Sequence, residues 1–442
     1  MRQQYDSYKP SGIDWIGDIP SHWNIRKTSQ LFQGIGSGTT PTSGSNKYYC
    51  DEGINWLQTG DLNDGQIIET SKKITELAIK DFSSLRLYPK ASIVIAMYGA
   101  TIGKLGILNI QTTTNQACCV LPNSKGINQN FGFYAYRAGR QSLINSAYGG
   151  GQPNISQETI KSFRIALPPL AEQQAIAAWL DEKCGEIDAA IAKVDREIEL
   201  IDELKQSEIS RVVTRGLNPD APLRPSGIDW INEIPFNWSS MKLKHTVKNI
   251  ETDFMDGDWI ESNDIAAEGI RYLTSGNIGA GVYKEQGEGF ITEETFAKLD
   301  CIEVFPGDLL ISRLNEPIAR TCFIPTLGYR IVTCVDNVIY RPKLGQFDKR
   351  YMMYQLNSKP FWFNASQLSS GATMQRISRS KLGAIKVIVP PLSEQQEIAD
   401  FLDKKCAEID RLKAKLTKKR ETLTELRQSI ISEVVTGKRK VI

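Results

Sequence analysis

Two long stretches of the chain carry apolar residues on a helical period. In the first, Ile176, Leu180, Ile187, Ile191, Val194, Ile198 and Ile201 recur at spacings of three, four and seven. In the second, Ile398, Leu402, Ile409, Leu412, Leu416, Leu423, Leu426 and Ile430 do the same. The pattern predicts two long helices, each with a heptad-like stripe able to enter a coiled coil. Pro168-Pro169 favours an extended lead-in, and Glu172 falls in the first turn, where negative charge suits the helix dipole. Gly216 and Pro219 close the first helix. Elsewhere the apolar positions form short β-branched runs, IVIAM from Ile93, FRIAL from Phe163, LLISR from Leu309 and IKVIV from Ile385, separated by Gly and Asn. They predict strands joined by loops, hence an α+β fold.

The chain repeats itself. PPLAEQQAIAAWLDEKCGEID from Pro168 returns as PPLSEQQEIADFLDKKCAEID from Pro390, and Pro168 to Thr214 matches Pro390 to Thr436 without a gap at roughly 27 of 47 positions. PSGIDWIGDIPSHW from Pro10 returns as PSGIDWINEIPFNW from Pro225, and WLQTGDL from Trp56 as YLTSGNI from Tyr272. A unit this long is a duplicated module rather than a solenoid repeat. The expected domains are 1–167, a first helix with spacer over 168–222, a second domain over 223–389 and a second helix over 390–442. Similarity is strong in the flanks and weak across 25–165 against 240–387. The halves therefore share a frame and differ in their interiors, as expected if each presents its own recognition surface.

Charge says how the helices pair. The first, over 171–215, is about −5 net and the second, over 393–442, about +3, with a basic run at Lys413, Lys415, Lys418, Lys419 and Arg420. Opposite signs favour pairing with each other, as an antiparallel coiled coil. A helix of ~42 residues spans about 63 Å. The chain as a whole, with net charge +2, gives no electrostatic argument for nucleic acid. No apolar run approaches the ~20 residues of a membrane span. The opening MRQQYDSYKP lacks the apolar segment of a signal peptide, so a cytoplasmic protein is expected.

Little in the chain suggests catalysis. There are two histidines, His22 and His245, and eight cysteines without a C-x-x-C pair, which argues against a zinc site and a disulfide framework. Cys118, Cys119, Cys184 and Cys406 read as small core residues. GATIGK from Gly99 has three residues between its glycines where a phosphate loop needs four, and Leu105 stands where Ser or Thr would hold magnesium. GIGSG from Gly34 follows no strand and opens no helix. What remains is recognition by planar polar side chains on loops. The first half offers Gln58, Thr59, Tyr98, Lys104, Gln116, Gln152 and Asn154, with Asp61 and Asn115 beside them. The second offers Asn277, Arg313, Asn315, Arg320, Asn337, Gln375 and Arg376, with Ser275 and Arg379. Arg suits guanine, Asn and Gln suit adenine, and Lys neutralises phosphate.

PPLxEQQxIAxxLDxKCxEID after a globular domain, repeated near the C-terminus, resembles the shared regions of type I restriction–modification specificity subunits. GSGTTP from Gly36, WLQTGD, YGATIGK from Tyr98 and the pair GGGQPNIS and SGATMQRIS are similar to that family's target-recognition domains, and the resemblance covers nearly the whole chain. It implies two target-recognition domains reading the parts of a bipartite double-stranded DNA site, with the coiled coil setting the spacer. It also implies a non-catalytic chain. Two modification (methyltransferase) subunits would bring S-adenosylmethionine, and restriction subunits, ATP-dependent translocases and nucleases, would bring ATP and Mg. A two-domain coiled-coil scaffold that reads no DNA, and the specificity subunit of a methylation-only or bifunctional system, are the alternatives. In the second half YGATIGK becomes LNEPIAR, so Arg320 stands opposite Lys104 and the glycine geometry is expected to be lost.

Overall fold

The computed structural model describes residues 4–42, 47–147, 153–314, 316–371 and 374–441. Two compact units emerge, and neither is continuous with one sequence repeat. The first joins 1–195 to 418–442, and the second is 196–417. Each unit thus takes half of each long helix.

In the first unit the run Ile93–Ala96 is the centre of a four-stranded sheet, between Cys118–Leu121 and Leu105–Leu108, with Gly65–Ile67 parallel to the latter at the edge. Its alternation is legible in the packing. Ile93 and Ile95 face the core that holds Phe131 and Ile176, whereas Val94 and Ala96 face a second cluster with Leu57 and Leu62. The adjacent Cys118 and Cys119 divide the same way, one to each face, because strand side chains alternate. Burial pushes the Cys119 thiol up to about 12, which suits a core residue and not a nucleophile.

The second unit repeats the plan. Leu309–Ser312 lies between Asn337–Tyr340 and Thr321–Phe323, with Phe254–Asp256 at the far edge. Leu309 and Ile311 face one core and Leu310 the other. FRIAL and IKVIV become the strands Arg164–Leu167 and Lys386–Val389, pairing antiparallel with Asn24–Lys27 and Ser239–Lys242. Each domain therefore closes immediately before its long helix begins.

The helices run Leu170–Arg215 and Leu392–Val435. Both end at a glycine in the left-handed region, Gly216 and Gly437, each with φ +74°. A Cβ on Gly437 would meet Pro20 at 2.2 Å, and one on Gly216 would meet Trp238 at 3.1 Å. These glycines let the Trp23 and Trp238 segments sit against a helix terminus.

Within each unit the helices pair antiparallel. Asp188 meets Arg427, and Asp195 meets Arg420 at 2.5 Å, in the first unit. Asp202 meets Lys413 and Lys205 meets Asp410, both at 2.7 Å, in the second. Three of these four pairs set an acid of the first helix against a base of the second. Ile187, Val194 and Ile409 are buried, whereas Ile191, Ile198, Ile201, Leu416, Leu423 and Ile430 are half-buried. Leu412 and Leu426 are exposed, unlike the other seam positions, because a two-helix pair covers one face of each helix and these two lie on its flank. Among the described residues no helix is long and apolar enough to cross a membrane.

Candidate nucleic-acid interface

The first residues to place are those that repeat. In PPLxEQQ the first glutamine of each copy is buried and the second exposed. Gln173 Oε1 accepts from the backbone of Asn128 at 2.8 Å while its Nε2 donates to Pro168 O at 2.8 Å. Gln395 does the same with Asp348 and Pro390, at 2.9 Å each. Asn128 and Asp348 are the N-caps of the helices Gln129–Ala138 and Lys349–Leu356. One buried carboxamide thus ties each long helix to its domain. A little further on, Tyr134 donates to Asp181 at 2.8 Å and Tyr354 to Asp403 at 2.7 Å. Glu172 receives Tyr5 at 2.6 Å and contacts His22 at 2.9 Å, and Glu394 receives Asn237 at 2.7 Å and Trp238 at 2.5 Å. The repeated sequence is therefore a bracing system, and its carboxylates hold neighbours.

Most of the polar residues expected to read DNA lie on loops and short turns of each unit, and Asn337 opens a strand. In the first unit Gln58, Thr59 and Asn115 line a groove of about 880 Å³ with Thr40, Trp56, Lys72 and Lys73. The GSGTTP segment forms part of its rim. Gly38 lies so close to the chain that a Cβ would fall 1.8 Å from Thr114 O, and Gly257 makes the same approach to Thr333 O in the second unit. Trp56 Nε1 donates to Thr39 O at 3.1 Å, and Thr40 donates to the Gln116 carboxamide at 2.7 Å. Gln116 and Lys104 are exposed, and Tyr98 is half-buried and backbone-paired with the exposed Asn154. Gln152 and Asn315 lie outside the described residues.

The second unit departs from the sequence-based list. Asn277, Arg313 and Asn337 are buried. The Asn277 carboxamide accepts from Thr274 N at 2.9 Å and donates to Lys284 O and Gln286 O, and Asn337 donates to Thr333 Oγ1 at 2.8 Å. Arg313 donates to Val335 O and Ile377 O and pairs with Asp256. Arg320 is half-buried, donating to Ile278 O at 3.0 Å and Pro317 O at 3.1 Å. These four side chains brace loops instead of offering themselves to a ligand. The physical reason is general: a planar polar group that suits a base edge equally suits a loop's unpaired backbone groups. Asp61 is the first-half equivalent of Asn277, accepting from Gln58 N at 2.8 Å. Gln375 is exposed and Arg376 half-buried.

The hairpin after the central strand keeps its geometry in both units, contrary to expectation. Gly103 N–H donates to Ala96 O at 2.9 Å, and Ala319 N–H donates to Ser312 O at 2.8 Å. Gly103 has φ +75° and Ala319 φ +71°. The left-handed geometry survives the loss of glycine, so Lys104 and Arg320 occupy equivalent backbone positions.

Arg313 is held below the ordinary arginine range by burial, with the like charges of Arg376 and Arg379 adding to the effect and Asp256 and Asp336 opposing it. Five charged groups are thus gathered around one point of the second unit.

A duplicated α+β domain on a shared pair of antiparallel helices defines a two-module protein with one frame and two different loop surfaces. The model of the type I restriction modification DNA specificity domain matches residues 20–199 and again 238–421, and the chain belongs to that family. The chain is 26% identical over 349 residues to the type I restriction enzyme MjaVIII specificity subunit of Methanocaldococcus jannaschii, covering 77% of this chain and 76% of that one. It is 22% identical over 436 residues to the EcoKI specificity subunit of Escherichia coli K12, covering 95% and 90%. A chain from a solved structure of type I restriction–modification complex assembly and conformational transition shares the fold, with TM-score 0.68 at 16% identity, over 94% of this chain and 98% of that one.

Proposed function

We propose that this chain is the DNA-recognition subunit of a type I restriction–modification complex. Each half reads one part of a bipartite double-stranded site, and the chain performs no chemistry of its own. Modification subunits that carry S-adenosylmethionine dock on the helices and their flanks, and restriction subunits using ATP and Mg join them. The helices, 46 and 44 residues long, act as the spacer; at 1.5 Å per residue each is roughly 65–70 Å long. The observation that carries the reading is the division of each half into a repeated bracing frame and a non-repeated set of polar loops. A scaffold alone has no use for two different loop sets on one frame. Modest DNA affinity is expected of the isolated chain, since its net charge is only +2 and few phosphates are neutralised by it.

The test is a domain exchange. Residues 25–165 are replaced by the matching segment of a relative with a different target, and the chain is expressed with its modification subunits. Genome methylation mapping is expected to show one half-site changed and the other half-site and spacer kept. Loss of both half-sites by a folded chimaera that still methylates, or an unchanged site, overturns the reading.

A further inference from the structure

The backbone bonds that equate Lys104 with Arg320 extend to a whole cluster. Met97 N–H donates to Ala117 O, and Ile155 N–H donates to Met97 O. In the second unit Arg313 N–H donates to Asp336 O, and Ile377 N–H donates to Arg313 O. The bridges Tyr98 to Asn154 and Leu314 to Arg376 complete the match. Three residues further, Gln157 and Arg379 each open a short helix. Gln157 donates to Ser37, the residue before Gly38, and Arg379 pairs with Asp256, the residue before Gly257. Five equivalent positions therefore carry Ser37, Met97, Ala117, Asn154 and Gln157 in one half, all uncharged. The other half carries Asp256, Arg313, Asp336, Arg376 and Arg379, all charged.

The first half is an internal control for the fold. It builds the same backbone without any of these charges, so the scaffold does not need them. Gathering ions in a half-buried place is costly, and an apolar set is often as stable. Arg313 is spent on Val335 O and Ile377 O inside the fold, so what the scaffold leaves unexplained is the charge at the exposed rim, Arg376 and Arg379 with the carboxylates they meet.

The geometry of this rim indicates its use. Arg313 is enclosed and acts as the base of the cluster, 3.1 Å from Asp256. Arg376 and Arg379 keep 41% and 45% of their side chains exposed. Arg376 is held from one side by Asp336, Nη2 to Oδ1 at 2.8 Å. The contact is an ion pair without hydrogen-bond geometry, and Arg376 Nε is buried, so the carboxylate biases the direction of the side chain and leaves the Nη N–H groups to be offered. Phosphate is a poor ligand here. The nearby carboxylates oppose it, and phosphate contacts are needed by both halves alike, whereas this position is neutral in one. A neutral, planar double acceptor fits, and in the major groove that is the O6/N7 edge of guanine.

We propose that Arg376 is a specificity-determining residue of the second domain, oriented by Asp336 over the Arg313–Asp256 pair, and reads a guanine in that domain's half-site. The proposal rests on the DNA-reading function above. Asp336 is a positioning residue.

The experiment uses the full chain assembled with its modification subunits and duplexes carrying the mapped target. Each guanine is replaced in turn by 7-deazaguanine, which lacks N7. The wild-type complex is expected to lose roughly tenfold in affinity at a guanine confined to one half-site. Arg376→Met complexes, which have no N–H to offer, are expected to bind the natural and 7-deaza duplexes alike at that position and to keep their preference in the other half-site. Asp336→Asn is expected to lose part of the discrimination. Two results overturn the proposal: a wild-type complex indifferent to every substitution in both half-sites, or an Arg376→Met complex with undiminished sensitivity. A wild-type complex with no sequence preference at all refutes the DNA-reading function itself, which is a different outcome. The wild-type arm can overturn the proposal even if an Arg376 variant fails to fold, and Asp336→Asn then carries the link to this side chain.

Discussion

Gln395→Ala tests the bracing reading of the repeated sequence, and Gln396→Ala beside it is the control. Gln395 is fully buried and Gln396 exposed. Removing the Gln395 carboxamide strips the partner from Asp348 N–H and the donor from Pro390 O at 2.9 Å and Gln346 O at 3.2 Å. Each buried hydrogen bond contributes about 0.5–1.5 kcal/mol net, and a stranded buried group costs about 1–3 kcal/mol. The carboxamide nitrogen carries two N–H groups, one for each of Pro390 O and Gln346 O, so three bonds are lost and the sum is about 3 kcal/mol. Gln396→Ala should fall within about 0.5 kcal/mol of wild type. Gln173→Ala should cost slightly less, about 2 kcal/mol, because Gln173 bonds one carbonyl where Gln395 bonds two. Urea melts give the stability change. Hydrogen exchange locates it, since amides at the start of Lys349–Leu356 should open faster in Gln395→Ala, and those of Gln129–Ala138 should not. Equal melting of the two neighbouring alanine variants, or unchanged exchange at Asp348, would refute the reasoning.

Gly38→Ala and Gly257→Ala, whose Cβ atoms would fall 1.8 and 2.3 Å from backbone carbonyls, should each cost more than about 2 kcal/mol in thermal melts. Gly60→Ala, with open space around it, should leave the melt within about 0.5 kcal/mol. Burial raises the Asp258 carboxyl from 3.8 to about 6 against the Ile302 N–H bond that lowers it. Between those values the folded state holds a proton the unfolded state has released, so stability falls as pH rises through this window and stays lower above it. Asp258→Asn removes that loss. Its advantage over wild type should grow from about zero near pH 4 to roughly 1–2 kcal/mol by pH 7, after discounting for partial solvent exposure. A constant difference across that range in pH-dependent urea melts would refute the assignment.

The frame was legible because it is built from periodic signals. Strand runs such as IVIAM alternate between two cores, and the helical stripe and its opposite charges imply the antiparallel pair that Asp195–Arg420 and Asp202–Lys413 make. The division into units was not legible, since nothing local marks Asp195 as the point where a helix passes from one compact unit to the other. The loop residues were only half legible. Side-chain type names Asn277, Arg313 and Asn337 as readily as Lys104 and Gln116, but only packing shows that the first three are consumed inside. One signal did exist. Asp61 in TGD and Asn277 in SGN occupy the same place in the repeat, and a position that stays a short acceptor in both halves is more apt to hold a turn than to read a base. The buried Gln173 and Gln395 were also hidden, because EQQ offers two glutamines and sequence alone does not say which turns inward.

Duplication supplies a comparison that a single domain lacks. Where both halves keep a residue type and its bond, as with Gln173 and Gln395 or Tyr134 and Tyr354, the fold alone explains it. Where the halves keep the backbone bond and change the side chain, the fold is satisfied by either choice and the difference must serve something else. Ala319 in place of Gly103 shows how firmly the backbone is kept, since alanine holds a left-handed conformation that costs it about 1 kcal/mol or more. On that fixed backbone, five uncharged positions become five charged ones. A stability argument predicts drift at such positions toward any mixture of residues. It does not predict carboxylates and guanidiniums arriving together in contact, because each alone would be an uncompensated charge. The five charges therefore form one device, and the half of the protein that carries it should differ from the other half in which base it prefers, not in how tightly it holds the DNA backbone.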